Sequence, residues 1–344
     1  MKFVVGLAVG LVAGFIIGFI DWDNLWPRQV PMTVPEVVEL PLEKYQVEKL
    51  AARTDWGSAI EMGEIEATHS ASSGQAGYVI QKFYFESDGD RVSGLAHVPD
   101  ECIKCPVIAQ FRGYYDRNKY FPGAGTRRTA AEFVKAGYIT LAPDFLGYGE
   151  SASPSADVFE ARFQTYTTAV NLLYSIKSLE FIDPDRVGLW GHSNGGHIAL
   201  TVLEITGAVY PAVVWAPVTA AFPYSILYYT DDYDDGGQAL RKDLARFEDN
   251  YDVNKYTLVN YLDRINAPVL YQQGTDDPDI PIKWSRRLVG QMRGMDKLVD
   301  YVEYSGADHN MLPVWETAVA RDIEFFDRYL GDTSGAGQGS DLDH

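Results

Sequence analysis

Cysteine is nearly absent from this chain: of 344 residues, only Cys102 and Cys105 carry a thiol. Two thiols cannot build a four-cysteine zinc site, and the thioredoxin-like surroundings that a redox pair needs are missing. They read instead as a small local disulfide, which suits an oxidising compartment. Positive charge is also scarce. Lysine and arginine number 29 against 48 aspartates and glutamates, a formal net charge of −19. No basic cluster offers a surface for phosphate, so nucleic acid is excluded as a partner.

One long apolar run exists, FVVGLAVGLVAGFIIGFI at residues 3–20. It is close to the roughly 20 residues that a bilayer-crossing helix needs, and predicts a single-pass anchor over residues 1–20. A cleaved signal peptide is the alternative, but its apolar core spans about 7–15 residues and ends at a small-residue site that is not found here. Lys2 before the run and Asp21 and Asp23 after it put the N-terminus in the cytoplasm and the rest of the chain outside. Trp22 and Trp26 sit where interfacial aromatics belong. Gly6, Gly10, Gly14 and Gly18 leave one helix face bare enough for self-association, although glycine is common in such helices anyway.

Residues 21–56 read as a stalk and short helix: Pro27, Pro31, Pro35 and Pro41 favour extended chain, and PLEKYQVEKLAART is amphipathic. Residues 57–331 form the expected catalytic domain, and 332–344 a disordered Gly/Ser/Asp-rich tail. From residue 78 onward strands and helices alternate. YVIQKFYFE and RVSGLAHVP flank SDGD as a hairpin. PVIAQF, YITLAPDF, RVGLWGH, AVVWAPV, PVLYQQG and LVDYVEYSG follow as short apolar runs between helical stretches. That rhythm predicts an α/β fold, a mostly parallel sheet with helices on both faces. Residues 220–265 break it, rich in tyrosine and aspartate, and read either as a small lid or as a helical connection packed on the sheet.

Chemistry concentrates at GHSNGG, residues 191–196. A serine hydroxyl is a weak nucleophile unless held exposed beside a base, which a sharp strand-to-helix turn with flanking glycines achieves. Gly191-x-Ser193-x-Gly195 lies between a buried strand and a helix. In this architecture an acid and then a histidine follow. TDDPDIP offers Asp276, Asp277 and Asp279; ADHNM offers His309. His69 lies before the sheet, His97 inside a hairpin strand and His344 in the tail, while His192 and His197 read as packing residues. The oxyanion of a tetrahedral intermediate needs donors, for which the Asn194 and Tyr114 N–H groups are the candidates.

These motifs resemble the α/β-hydrolase fold, and more narrowly the catalytic domain of the prolyl oligopeptidase family of serine peptidases and esterases. The resemblance covers about residues 78–331 and rests on SDGDRVSGLAHVP, PDFLGYGES, DPDRVGLWGHSNGGHIAL, GTDDPDIP and GADHN. It implies Asp277 as the acid, three residues after a glycine and ahead of Ile280-Pro281. Many members place a tyrosine hydroxyl in the oxyanion hole, where this chain has Phe111 and Arg112, closer to esterase-like variants that use a backbone N–H. The expected function is hydrolysis of an ester or short-peptide bond through an acyl-enzyme on Ser193, with no metal or organic cofactor. A carboxylesterase without peptidase activity and a silent hydrolase-fold binding protein are the alternatives. Tyr224, Tyr228, Tyr229 and Tyr233 are the candidate substrate-binding surface.

Overall fold

The computed structural model describes residues 40–71, 77–230 and 233–331. Nine strands form one sheet in the order β1-β2-β3-β5-β4-β6-β7-β8-β9. They are β1 Glu61–His69, β2 Tyr78–Ser87, β3 Asp90–Pro99, β4 Cys105–Phe111, β5 Ile139–Pro143, β6 Ile182–His192, β7 Ala212–Trp215, β8 Val269–Gly274 and β9 Val299–Tyr304. The pairs β1–β2, β2–β3 and β3–β5 are antiparallel, and from β5 through β4 to β9 every pair is parallel. The hairpin expected at SDGD forms with Ser87 opposite Asp90. Its two-residue turn puts both Asp88 (φ 56°) and Gly89 (φ 90°) at positive φ, the geometry whose twist matches paired strands. β1 was not anticipated. It is an edge strand with mostly exposed side chains, so its apolar signal is weak.

The helices are α1 Val47–Ala52, α2 Arg127–Lys135, α3 Val158–Ser175, α4 Asn194–Thr206, α5 Tyr224–Leu227, α6 Gln238–Asn250, α7 Ile282–Gly294 and α8 Trp315–Leu330. Alternate strand residues feed two cores. Val107, Ala109, Leu189, Ala212, Val214 and Tyr271 face α1, α3, α4 and α6, while Ile108, Trp190, Val213, Trp215 and Leu270 face Phe133 of α2 and Trp315, Phe325 and Phe326 of α8. The period of two along a strand thus builds both layers. α4 is buried almost all round, as expected of a central helix between sheet and outer helices. α3 begins at Asp157, whose carboxylate accepts from the N–H groups of Phe159 and Glu160 at 2.9 Å, satisfying two donors that a helix start leaves open.

Three expectations change. Residues 41–56, expected as the end of a stalk and a short helix, pack into the folded body: Leu42, Tyr45, Val47, Leu50 and Trp56 are buried in the first core. The membrane anchor, and the extracytoplasmic location built on it, are withdrawn: among the described residues no helix is long and apolar enough to cross a membrane. Residues 3–20, including Gly6, Gly10, Gly14 and Gly18, and the tail 332–344 lie outside the described residues. Finally, much of 220–265 is structural. Phe222, Leu240, Leu244, Phe247, Tyr256, Leu258 and Leu262 join the first core, and Phe247 packs on Phe159, Phe163 and Tyr256 at ring distances of 5.0–6.0 Å. Cys102 and Cys105 are joined in a disulfide.

Candidate active site

The strand order reverses around β4, which lies between β5 and β6. Loops leaving the carboxyl ends of the strands diverge there and open a crevice. A cavity of about 680 Å³ lies in this region, lined by Gly113, Tyr114, His192, Ser193, Asn194 and His309 among others.

Ser193 sits at the corner between β6 and α4 with φ 57° and ψ −121°, a conformation that L-residues avoid and that a surrounding lattice must hold. Its N–H donates to Trp215 at 2.8 Å, and its carbonyl accepts from Gly196 at 3.1 Å and Val218 at 3.2 Å. The glycines of the motif are needed for room. A Cβ on Gly195 would stand 1.8 Å from the Phe111 carbonyl oxygen, and one on Gly191 2.3 Å from that of Gly195. The helix can approach β4 only because both are bare. Asn194 is the first residue of α4, where helix N–H groups lack partners within the helix.

The loop after β8 carries Asp277. Its side chain is fully buried beside His309, whose side chain is 12 % exposed. The His309 Nδ1 lies 2.8 Å from Asp277 Oδ2, and Gln273 Nε2 donates to the same oxygen at 2.8 Å. The other oxygen accepts from the N–H groups of Asp279 and Ile280, both at 2.8 Å. Burial pushes this carboxyl upward, but the hydrogen bonds and charge from His309 and the loop N–H groups outweigh it and hold it below the usual range. Of the three aspartates of this loop, Asp277 is thus the one whose carboxylate meets His309, at Nδ1. Asp276 is exposed and bonded to Thr275; Asp279 is exposed at the cavity wall.

His192 does more than pack. Its Nε2 donates to the His309 backbone carbonyl at 2.8 Å, and the two rings lie 4.6 Å apart. Burial and the neighbouring His309 lower it to about 4, so it stays neutral and ties the serine corner to the histidine loop. Its place beside Ser193 was the only clue in the sequence. Gln273, itself held by Ser285 Oγ at 2.8 Å, was also missed, because nothing in PVLYQQG distinguishes it from a core residue.

The turn at Gly113 runs against the serine: a Cβ there would stand 2.9 Å from Ser193 Cβ. Tyr114 follows it with its ring 84 % exposed, so any part it plays falls to its backbone. Of the four tyrosines singled out, only Tyr229 lines the cavity. Tyr224 and Tyr228 instead pack on Trp284 at 5.9 and 4.8 Å, and Tyr233 is exposed away from the cavity lining. Asp277, Asp279 and His309 bring possible metal-ligand atoms within 4.8 Å of one another. The Asp277 oxygens and His309 Nδ1 are, however, already engaged with one another and the loop.

Residues 126–333, more than half of the chain, match the family model described as the prolyl oligopeptidase family. Among curated proteins, the quorum-quenching protein AidA of Acinetobacter baumannii is 26% identical over 147 residues, 41% of this chain and 45% of AidA. The uncharacterized peptidase YtmA of Bacillus subtilis is 25% identical over 252 residues, 69% of this chain and 88% of YtmA. The chain thus spans less than half of AidA. Among solved structures, acetyl xylan esterase 1 from Thermoanaerobacterium sp. JW/SL YS485 superposes with a TM-score of 0.60 at 18% identity, covering 83% of this chain and 93% of that one, a likeness of fold. The chain belongs to the prolyl oligopeptidase family and is a serine-type α/β hydrolase.

Proposed function

We propose that the protein hydrolyses esters or short-peptide amides through an acyl-enzyme on Ser193. The observation that carries this reading is the 2.8 Å contact of Asp277 with His309, beside a strained Ser193 on the wall of the same cavity. Ser193 Oγ attacks the carbonyl carbon and gives its proton to His309 Nε2, while Asp277 stabilises the imidazolium that forms. The oxyanion is held by the N–H groups of Asn194 and Tyr114. Collapse breaks the bond to the leaving alcohol or amine, which takes the proton from Nε2. Water then loses a proton to the same nitrogen as it attacks the acyl carbon, the bond to Ser193 Oγ breaks, and Oγ takes that proton back as the acid leaves.

Esters are the better substrates on this reading. Where many relatives present a tyrosine hydroxyl, Arg112 turns away, donating to the carbonyls of Gly113 and Asp144, so the hole relies on backbone donors. A fluorophosphonate probe is expected to label Ser193, and Ser193→Ala to lose both labelling and hydrolysis of p-nitrophenyl acetate by on the order of 10⁶ in kcat. Activity within tenfold of the parent in that variant would end the assignment.

A further inference from the structure

The cavity wall carries more positive charge than a neutral ester needs. Arg112 and Arg117, from the loop after β4, and Arg162, from α3, all line it, in a chain of net charge −19. The one carboxylate among the described lining residues is Asp279, which stands beside His309.

Arg112 has a local counter-charge. It donates to the Asp144 carbonyl at 3.0 Å, and its positive charge acts on the Asp144 carboxylate, which Ser93 also binds at 2.5 Å. Its planar group lies 4.0 Å from the Tyr148 ring. Arg162 has no such partner. Among the described residues no carboxylate pairs with it; its Nε is buried without a hydrogen bond, and the Tyr166 hydroxyl that it meets is uncharged. His197 donates Nδ1–H to the Val218 carbonyl at 2.8 Å, which leaves its Nε2 to accept from the Tyr166 hydroxyl at 3.0 Å. Glu204 lies in the same buried region, and burial pushes its carboxyl well above the usual carboxylate range. A half-buried guanidinium without an anion beside it leaves charge pairing unused, and its planar fork matches a carboxylate.

We propose that the substrate carries a carboxylate, held by Arg162 while the scissile carbonyl faces Ser193. This rests on the hydrolase reading above and narrows it to carboxylate-bearing esters or amides. Exposed Arg117, whose guanidinium lies 5.4 Å from the centre of the Tyr148 ring, adds charge at the wall.

The test is a ratio of kcat/KM within one preparation, so that the fraction of active protein cancels. The p-nitrophenyl half-ester of glutaric acid is compared with p-nitrophenyl pentanoate, and the butyrate ester of 4-hydroxybenzoate with phenyl butyrate. The first pair puts the charge on the acyl side, the second on the leaving side. We expect the charged member of one pair to be favoured at least about tenfold, the worth of one charge-assisted contact. Arg162→Gln brings that ratio to within about twofold of one, and Arg162→Lys keeps part of it. Ratios near one in both pairs, or a preference unchanged by Arg162→Gln, would overturn the proposal. Fluorophosphonate labelling of Ser193 separates the two readings. If Ser193 is unlabelled, calorimetric binding of glutarate monoanilide decides alone: binding that Arg162→Gln abolishes keeps the anion site without the hydrolase, and no binding sinks it.

Discussion

Replacing Asp277 by asparagine removes one charge and one acceptor without changing the shape of the side chain, and four donors on this carboxylate fix the outcome. Asp279 and Ile280 N–H groups meet Oδ1 at 2.8 Å, and His309 Nδ1 and Gln273 Nε2 meet Oδ2 at 2.8 Å. An asparagine that keeps its oxygen toward the loop N–H groups turns its NH₂ toward His309 and Gln273, donor against donor. The His309 contact survives only if the ring changes tautomer, leaving Nδ1 bare and placing the proton on Nε2. That nitrogen can then no longer accept from Ser193. Flipping the amide sets the same conflict against the loop. Loss of the tautomer costs on the order of 10⁴ in kcat, about 5.5 kcal/mol of transition-state stabilisation. The assay is steady-state hydrolysis of p-nitrophenyl acetate, with thermal melts showing that the variant is folded. Asp276→Asn is the control, since that carboxylate is exposed and meets only Thr275 Oγ1 at 2.9 Å, and should stay within about threefold. An Asp277→Asn enzyme within tenfold of the parent, or a crippled Asp276→Asn, would refute the reasoning.

Two further outcomes concern stability. Gly195→Ala drives a Cβ to 1.8 Å from the Phe111 carbonyl oxygen, and β4 cannot retreat because Phe111 is in register with Gly191 of β6. The denaturation midpoint should fall by the equivalent of about 3 kcal/mol or more, and parent-like stability would show that the helix approach is looser than described. Glu204 lies in α4 with both carboxylate oxygens buried and unbonded; burial, then Asp263, raise it well above 4.5. Because the folded form holds its proton more tightly than the unfolded one, stability should decline as pH rises above about 4.5, by about 1.4 kcal/mol per pH unit, until the folded group ionises. Glu204→Met should lack this decline, so unfolding curves measured from about pH 5 to 8 must diverge; parallel curves would mean that Glu204 is not held neutral.

The chemistry of the site was legible in the sequence where covalent neighbours create it. A serine between glycines, after an apolar strand and before a helix, specifies a tight corner, because only glycine allows the close approach that the Phe111 and Gly195 backbones make. The order of serine, acid and histidine, and the alternation of apolar strands with helices, likewise belong to the chain itself, and eight of the nine strands coincide with segments that pattern alone picks out. What pattern could not decide is whatever depends on neighbours distant in sequence. Three aspartates in TDDPDIP are equivalent turn formers until His309, 32 residues further on, and Gln273 select Asp277 by contact. His192 and His197 look alike as neighbours of Ser193, yet one ties down the His309 loop and the other bonds Tyr166 and Val218. The tyrosines of 224–233 look like one surface, but only Tyr229 faces the cavity, because Trp284 claims two of the others. Arg162 sits in an ordinary helical stretch, and its want of a counter-charge exists only once α3 has been packed against the cavity. Side-chain identity and spacing set the corner and the order of its partners; burial, charge pairing and the choice among like residues come from packing, which brings together groups that the chain keeps apart.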